Sequence, residues 1–251
     1  MTLQFKATLE TLYRLYHRPE YRLLDPVEVV WRYANPDDQA IAGLWAALFA
    51  WGRRQTAIQK TQQLLALMGP SPADALRENR PLFVVLRHRT WNPETIVALW
   101  QALQVIYQRY GGLQAFFRRY HDRLWEGVAA FQQVLIREAP ILRRHLGDLK
   151  RGSASKRLWL WLRWMVRCDT IDPGPWAAYF SPQALYIPLD THVLRWTRTL
   201  GLIAYQTPSW QAAQALTAIF RETAPEDPLR YDFAIVTAGA LGHLYKVTCP
   251  S

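Results

Sequence analysis

Three observations predict an all-α protein. Apolar residues recur at three- and four-residue steps over most of the chain. Proline, glycine and small polar residues fall where helices start and stop. No segment alternates apolar and polar residues between hairpin turns, as a half-buried strand would.

Leu9, Leu12, Tyr13 and Tyr16 share a helical face that Pro19 interrupts. Pro26 suits the first turn of a helix through Val27, Val30 and Trp31, with Asp25 as its N-cap. Asn35-Pro36-Asp37-Asp38 reads as turn and cap before an apolar helix running from Ile41 to Phe49. Beyond Arg53 and Arg54, the residues Ile58, Leu64, Leu65 and Leu67 keep helical spacing until Met68-Gly69-Pro70-Ser71-Pro72 stops them. Further helices are expected at 73–78, 93–110, 113–119 and 124–138, with Gly111-Gly112 separating two of them. A small polar stretch, Lys150 to Ser155, leads into a helix at 156–167. Asp172-Pro173-Gly174-Pro175 and Ser181-Pro182 are turns, and helices resume at 191–200, 209–221 and 229–244.

Half of the 251 residues are hydrophobic, enough to bury a core without staples, and 20% are charged, which excludes wholesale disorder. The net charge of +10 points to an anionic partner, nucleic acid or an acidic surface; lineage-wide basicity is the plainer explanation. The 12 Trp, 12 Tyr and 9 Phe could stack bases, although most such rings fill cores. Two cysteines, Cys168 and Cys249, are too few for a four-cysteine zinc site, an iron–sulfur cluster or a disulfide framework. The opening residues lack a signal-peptide pattern, and no apolar run approaches ~18 residues. The expectation is a soluble cytoplasmic protein with no membrane partner.

Two stretches carry chemistry. In Lys150-Arg151-Gly152-Ser153-Ala154-Ser155-Lys156-Arg157, small residues before a helix leave backbone N–H groups able to hold a phosphate, with cations beside them. A solvated basic loop is the alternative. Helix geometry puts Lys156, Leu160, Arg163 and Arg167 on one stripe, and crowding by cations would favour the free amine of Lys156, a nucleophile for carbon centres. The alternative is an amphipathic helix with a solvated basic face. In Ile187-Pro188-Leu189-Asp190-Thr191-His192-Val193-Leu194-Arg195, Asp190 is placed as an N-cap, which is either its whole role or the anchor of a functional carboxylate.

Taken together, Pro188 to Val193, Arg195 and Leu200-Gly201-Leu202 resemble a segment of helix-hairpin-helix DNA glycosylases, endonuclease III-like. Over nearly the whole chain, from Asp25 to Gly239, the sequence resembles the bacterial domain of unknown function 2400 family. The resemblance implies a two-lobed helix-hairpin-helix fold without an iron–sulfur cluster. A middle lobe would span about 37–167, with 1–36 and 168–251 forming the second. It implies that Asp190 stabilises the developing oxocarbenium ion and that Lys156 attacks C1′ as the Schiff-base lysine. The chain departs from the usual hairpin. Of its two glycines only Gly152 remains, and Ala154 stands at the second. Lys156 and Asp190 stand 34 residues apart, a spacing nearer archaeal 8-oxoguanine glycosylases. In that comparison Asp232 contacts the base; an ion pair with Arg230 or another arginine is its structural alternative.

The expected DNA-binding residues are Arg53, Arg54, Lys150, Arg151, Gly152, Ser153, Ser155, Arg163, His192 and Arg195. The expected base pocket is Trp159, Leu160, Trp164 and Asp232, with Trp176 and Trp196 as further wall candidates. The implied function is base-excision DNA repair: a glycosylase with AP lyase activity that removes an oxidised base such as 8-oxoguanine. Its partner would be damaged double-stranded DNA, with no cofactor or metal. The protein would act as a cytoplasmic monomer, nucleoid-associated when bound. A non-catalytic DNA- or RNA-binding protein on a glycosylase-like scaffold is the alternative, and a helical scaffold for protein partners is a third.

Overall fold

A computed structural model describes residues 3–244, and its regular structure is helical. In chain order the α-helices are α1 (Leu3–Tyr16), α2 (Pro19–Arg22), α3 (Pro36–Phe49), α4 (Arg54–Ala66), α5 (Pro72–Arg77), α6 (Pro93–Tyr110) and α7 (Leu113–Arg118). They continue as α8 (Leu124–Glu138), α9 (Arg143–Leu146), α10 (Lys156–Val166), α11 (Thr191–Thr199), α12 (Trp210–Thr223) and α13 (Asp232–Ala240). Among the described residues there is no strand, only isolated bridges such as His88 to Trp91. No helix among them is long and apolar enough to cross a membrane. Cys249 lies outside the described residues, and Cys168 is exposed.

The caps explain where helices begin. Asn35, Ser71, Asn92 and Ser209 each accept a hydrogen bond from a backbone N–H of the first turn, and proline follows in the first three. Asp25 caps Pro26–Arg32 in the same way, but that segment closes as a 3₁₀ helix. The short α2 and α9 carry too few periodic residues to be read from sequence, and 229–244 begins late, as α13 at Asp232.

α3 is buried almost all round and packs against α10, α4 and the 3₁₀ segment at 26–32. Gly43 permits the close approach of α10, because a Cβ there would sit 2.9 Å from Met165 Cε and 3.2 Å from Trp161 Cδ1. Trp161 Nε1 donates to Ala40 O at 3.0 Å across the same contact. This helix belongs to a large hydrophobic cluster that runs from Val27 to Leu185 and also takes in Leu229 and Phe233. A second cluster joins Phe5, Leu9 and Leu12 of α1 to residues of α11, α12 and α13.

A buried ionic network lies where these clusters adjoin. Arg163, 2% exposed, donates to Asp232 Oδ2 at 2.6 Å and to Asp172 Oδ1 at 3.1 and 3.2 Å. Arg167, one turn on, reaches the other Asp172 oxygen, Asp169 at 2.9 Å and Asp227 at 3.0 Å. Burial works against both guanidinium charges, but the carboxylates outweigh it and hold both above the ordinary arginine range. Burial also pushes the carboxyls of Asp172 and Asp232 up, against the pull of the arginines.

Asp172→Asn strips a carboxylate from both arginines while keeping its shape. Removing one partner of a buried pair costs about 3–5 kcal/mol. Urea unfolding should therefore show a loss of that size, and a midpoint equal to wild type would contradict the network's role.

Candidate active-site cleft

The segment before α10 is a tight hairpin with defined fasteners. The 3₁₀ turn Leu149–Arg151 ends at Gly152, whose φ of +86° suits glycine. Gly147 has no room for a side chain: a Cβ there would lie 2.4 Å from Ser153 Oγ. Gln132 of α8, fully buried, donates to Leu146 O at 3.0 Å and to Ser155 Oγ at 2.8 Å, and accepts from Leu149 N at 2.9 Å. These bonds hold Ser155 in the left-handed region, φ +47°, immediately before Lys156 opens α10. The positive-φ residue is thus Ser155 and not Ala154, where a second glycine was expected.

Across from the hairpin, Asp190 Oδ1 accepts from Val193 N at 2.8 Å, so this carboxylate caps α11. Its other oxygen lies 3.8 Å from Lys156 Nζ. The lysine side chain is 42% exposed and the aspartate 22%. Burial holds the Lys156 ammonium below the ordinary lysine range; Asp190 opposes the shift and Arg157 adds to it. The expected crowding by Arg163 and Arg167 does not operate, because those arginines are neutralised in the ionic network.

Both groups line a cleft of about 500 Å³. One wall is the Lys156, Leu160, Arg163 stripe of α10 together with Trp51 and Gly52 from the α3–α4 turn, and Arg54, which opens α4, reaches across to Val236 O at 3.4 Å. The other is Asp190, Thr191 and Val193 of the α11 entry, with Ile235 and Val236 of α13. Asp25 and Asp232 also line it. Asp232 is fully buried, its partner is Arg163, and its Oδ1 makes no hydrogen bond.

The structure sorts the sequence-predicted residues by position. Lys156, Asp190, Leu160, Asp232 and Arg54 line one cleft; Arg53, Lys150 and Arg151 are exposed, and Ser153 and Gly152 lie on the hairpin. Arg195 is exposed and lines a separate groove with Arg198. The His192 side chain lies outside the described residues. Six residue expectations are corrected. Arg163 cannot touch DNA, because it is sealed among carboxylates. Ser155 is buried and its hydroxyl is engaged by Gln132, so it offers no phosphate contact through its side chain. Trp159 and Trp164 are fully buried core residues, as are Trp176 and Trp196; Trp159 stacks on Trp210 at 5.8 Å. The wall ring that does reach the cleft is Trp51, which a short polar turn gave no reason to single out. Arg157 was equally missed, as its neighbour carried the chemical argument.

An all-helical protein with a lysine–carboxylate pair beside a cleft is the class that fold and site define. The chain matches the family described as a protein of unknown function (DUF2400) over residues 25–241, and it belongs to that family. No curated protein and no solved structure matches it.

The amine's protonation is directly measurable. A lowered pKa means that Lys156 loses its proton at a lower pH than a free lysine. Its acylation rate should thus rise with pH and level off earlier than at other lysines. Asp190→Asn removes the carboxylate that favours the ammonium, so the curve should move further down in pH. Competitive labelling with acetic anhydride, read peptide by peptide in a mass spectrometer, tests both; an upward move in Asp190→Asn would contradict the geometry.

Proposed function

We propose that this protein is a base-excision DNA glycosylase with AP lyase activity, acting in the cytoplasm on the nucleoid as a monomer. Its substrate would be an oxidised base such as 8-oxoguanine in double-stranded DNA. The observation that carries this reading is the 3.8 Å approach of Lys156 and Asp190 beside a cleft large enough for an extruded base. The two-lobed helix-hairpin-helix reading of the fold rests on the Gly152 turn that precedes α10 and on the two hydrophobic clusters flanking the cleft.

In this reading the neutral amine of Lys156 attacks C1′ of the extruded nucleotide. The new N–C1′ bond forms as the glycosidic bond breaks, and the base leaves with that electron pair and takes up a proton. Asp190, fixed as a cap, stabilises positive charge on the sugar and accepts the proton released by the amine. Sugar ring opening then gives the iminium, from which β-elimination cuts the strand. Asp232 is buried against Arg163 and its Oδ1 is closed to solvent, so the base contact expected of it takes no part in this reading. The +10 charge favours a polyanionic partner.

The test is excision from a panel of duplexes carrying oxidised purines, oxidised pyrimidines and uracil. Wild type should release at least one oxidised base and cut the strand. Lys156→Gln should lose strand cleavage, and Asp190→Asn should slow base release by about 10²-fold or more. No release across the panel would overturn the enzymatic reading. Salt-dependent binding unchanged by Asp190→Asn would then support the non-catalytic alternative.

A further inference from the structure

Arg157 is the outlier among the arginines of α10 and its C-cap. Arg163 and Arg167 each hold two or more carboxylates. Arg157 is half-buried with no carboxylate in ion-pair reach among the described residues, and its Nε is buried with no hydrogen-bond partner. Its own contacts are weak or neutral: one N–H donates to His145 O at 3.3 Å, and the guanidinium lies 5.1 Å from the centre of the Trp51 ring, which is 44% exposed. A desolvated cation without a counter-charge destabilises the free protein. Burial, with Arg144 and Arg157 adding to it, pushes the His145 imidazole down to about 4, so this neighbour adds no competing charge at neutral pH.

Its position supplies a reason for the missing partner. Arg157 lines the 500 Å³ cleft and also a second chamber of about 310 Å³, bounded by Arg144, Ser153, Ala154 and Thr191. Lys156 and Asp190 line both chambers, so the unpartnered guanidinium stands beside the reactive pair where the two spaces meet.

We propose that Arg157 is a phosphate-binding residue at this junction, with Trp51 as the ring that holds its guanidinium in place. The planar fork of arginine matches the oxygens of a phosphodiester or of free phosphate, and the missing carboxylate leaves it available to them. This deepens the glycosylase reading, on which the phosphodiester source rests: the group held is a backbone phosphate beside the extruded nucleotide.

The test uses full-length protein and duplexes that carry a tetrahydrofuran abasic analogue, with one phosphate at a time replaced by neutral methylphosphonate. Wild type should lose about tenfold or more in affinity at one position near the analogue. Arg157→Met should bind about tenfold more weakly to the unmodified duplex and be insensitive at that position, with Arg157→Lys between the two. Arg157→Met should also melt no lower than wild type, because it removes an unpaired buried charge; a steep fall in Tm would assign Arg157 a structural role and overturn the proposal. Duplex binding by wild type with an unchanged Arg157→Met profile overturns it and leaves the glycosylase reading standing. Binding of inorganic phosphate by wild type and not by Arg157→Met, with no duplex binding, supports the phosphate site with free phosphate as its source and removes the DNA reading. Binding of neither ligand overturns both.

Discussion

Asp172 sits between Arg163 and Arg167 with no exposed surface, and each of its oxygens takes one guanidinium. Asp232, Asp169 and Asp227 bring three more carboxylates to the two arginines. Asp169 also pairs at 3.2 Å with His17, the residue that follows α1, so the network reaches the end of the N-terminal helix. Such a cluster is costly to desolvate and is tolerated only when its partners are in place. It fixes the C-terminal half of α10 against the start of α13 through Arg163 and Asp232, which both line the cleft. Substituting one member leaves another charge stranded, so the geometry of the cleft and the stability of the fold depend on the same contacts.

Along α10 the charges are therefore divided. The C-terminal cations are neutralised inside the protein, and the N-terminal pair, Lys156 and Arg157, faces open space. Among the described residues Lys156 has a single carboxylate at ion-pair distance and Arg157 has none. Burial without full compensation lowers the pKa of an amine and leaves a guanidinium available to an external anion. The hairpin fastened by Gln132 sets where this helix begins, and hence where both side chains project.

Much of the helical framework was legible in the sequence, for physical reasons that differ by element. α6 begins and ends where the breakers place it, since an Asn-Pro start and a Gly-Gly stop act locally, and α8 follows from the spacing of its apolar residues. Asp190 as a cap was legible for the same reason. The 3₁₀ segment at 26–32 was read as a helix because cap and proline signals do not distinguish the two hydrogen-bond patterns. Within the site, the stripe on α10 was correctly spaced, but spacing alone cannot say which cations meet carboxylates. Asp172, in a segment readable only as a turn, supplies that answer from nine residues beyond Arg163. The tryptophans were misplaced for a related reason: a ring able to stack on a base is equally able to fill a core, and only Trp51, on a turn, stays at the cleft. Gln132 could not be found from sequence, because its three hydrogen bonds go to a hairpin more than a dozen residues away.

In the proposed mechanism the Lys156 amine forms a covalent bond to the sugar. Borohydride reduction during turnover on a lesion-bearing duplex tests it most directly, with the adduct located by mass spectrometry after proteolysis. The geometry predicts a trapped complex whose sugar remnant lies on the peptide carrying Lys156. Trapping on another amine, such as Lys150, or none on a duplex that the protein demonstrably cuts, would contradict it.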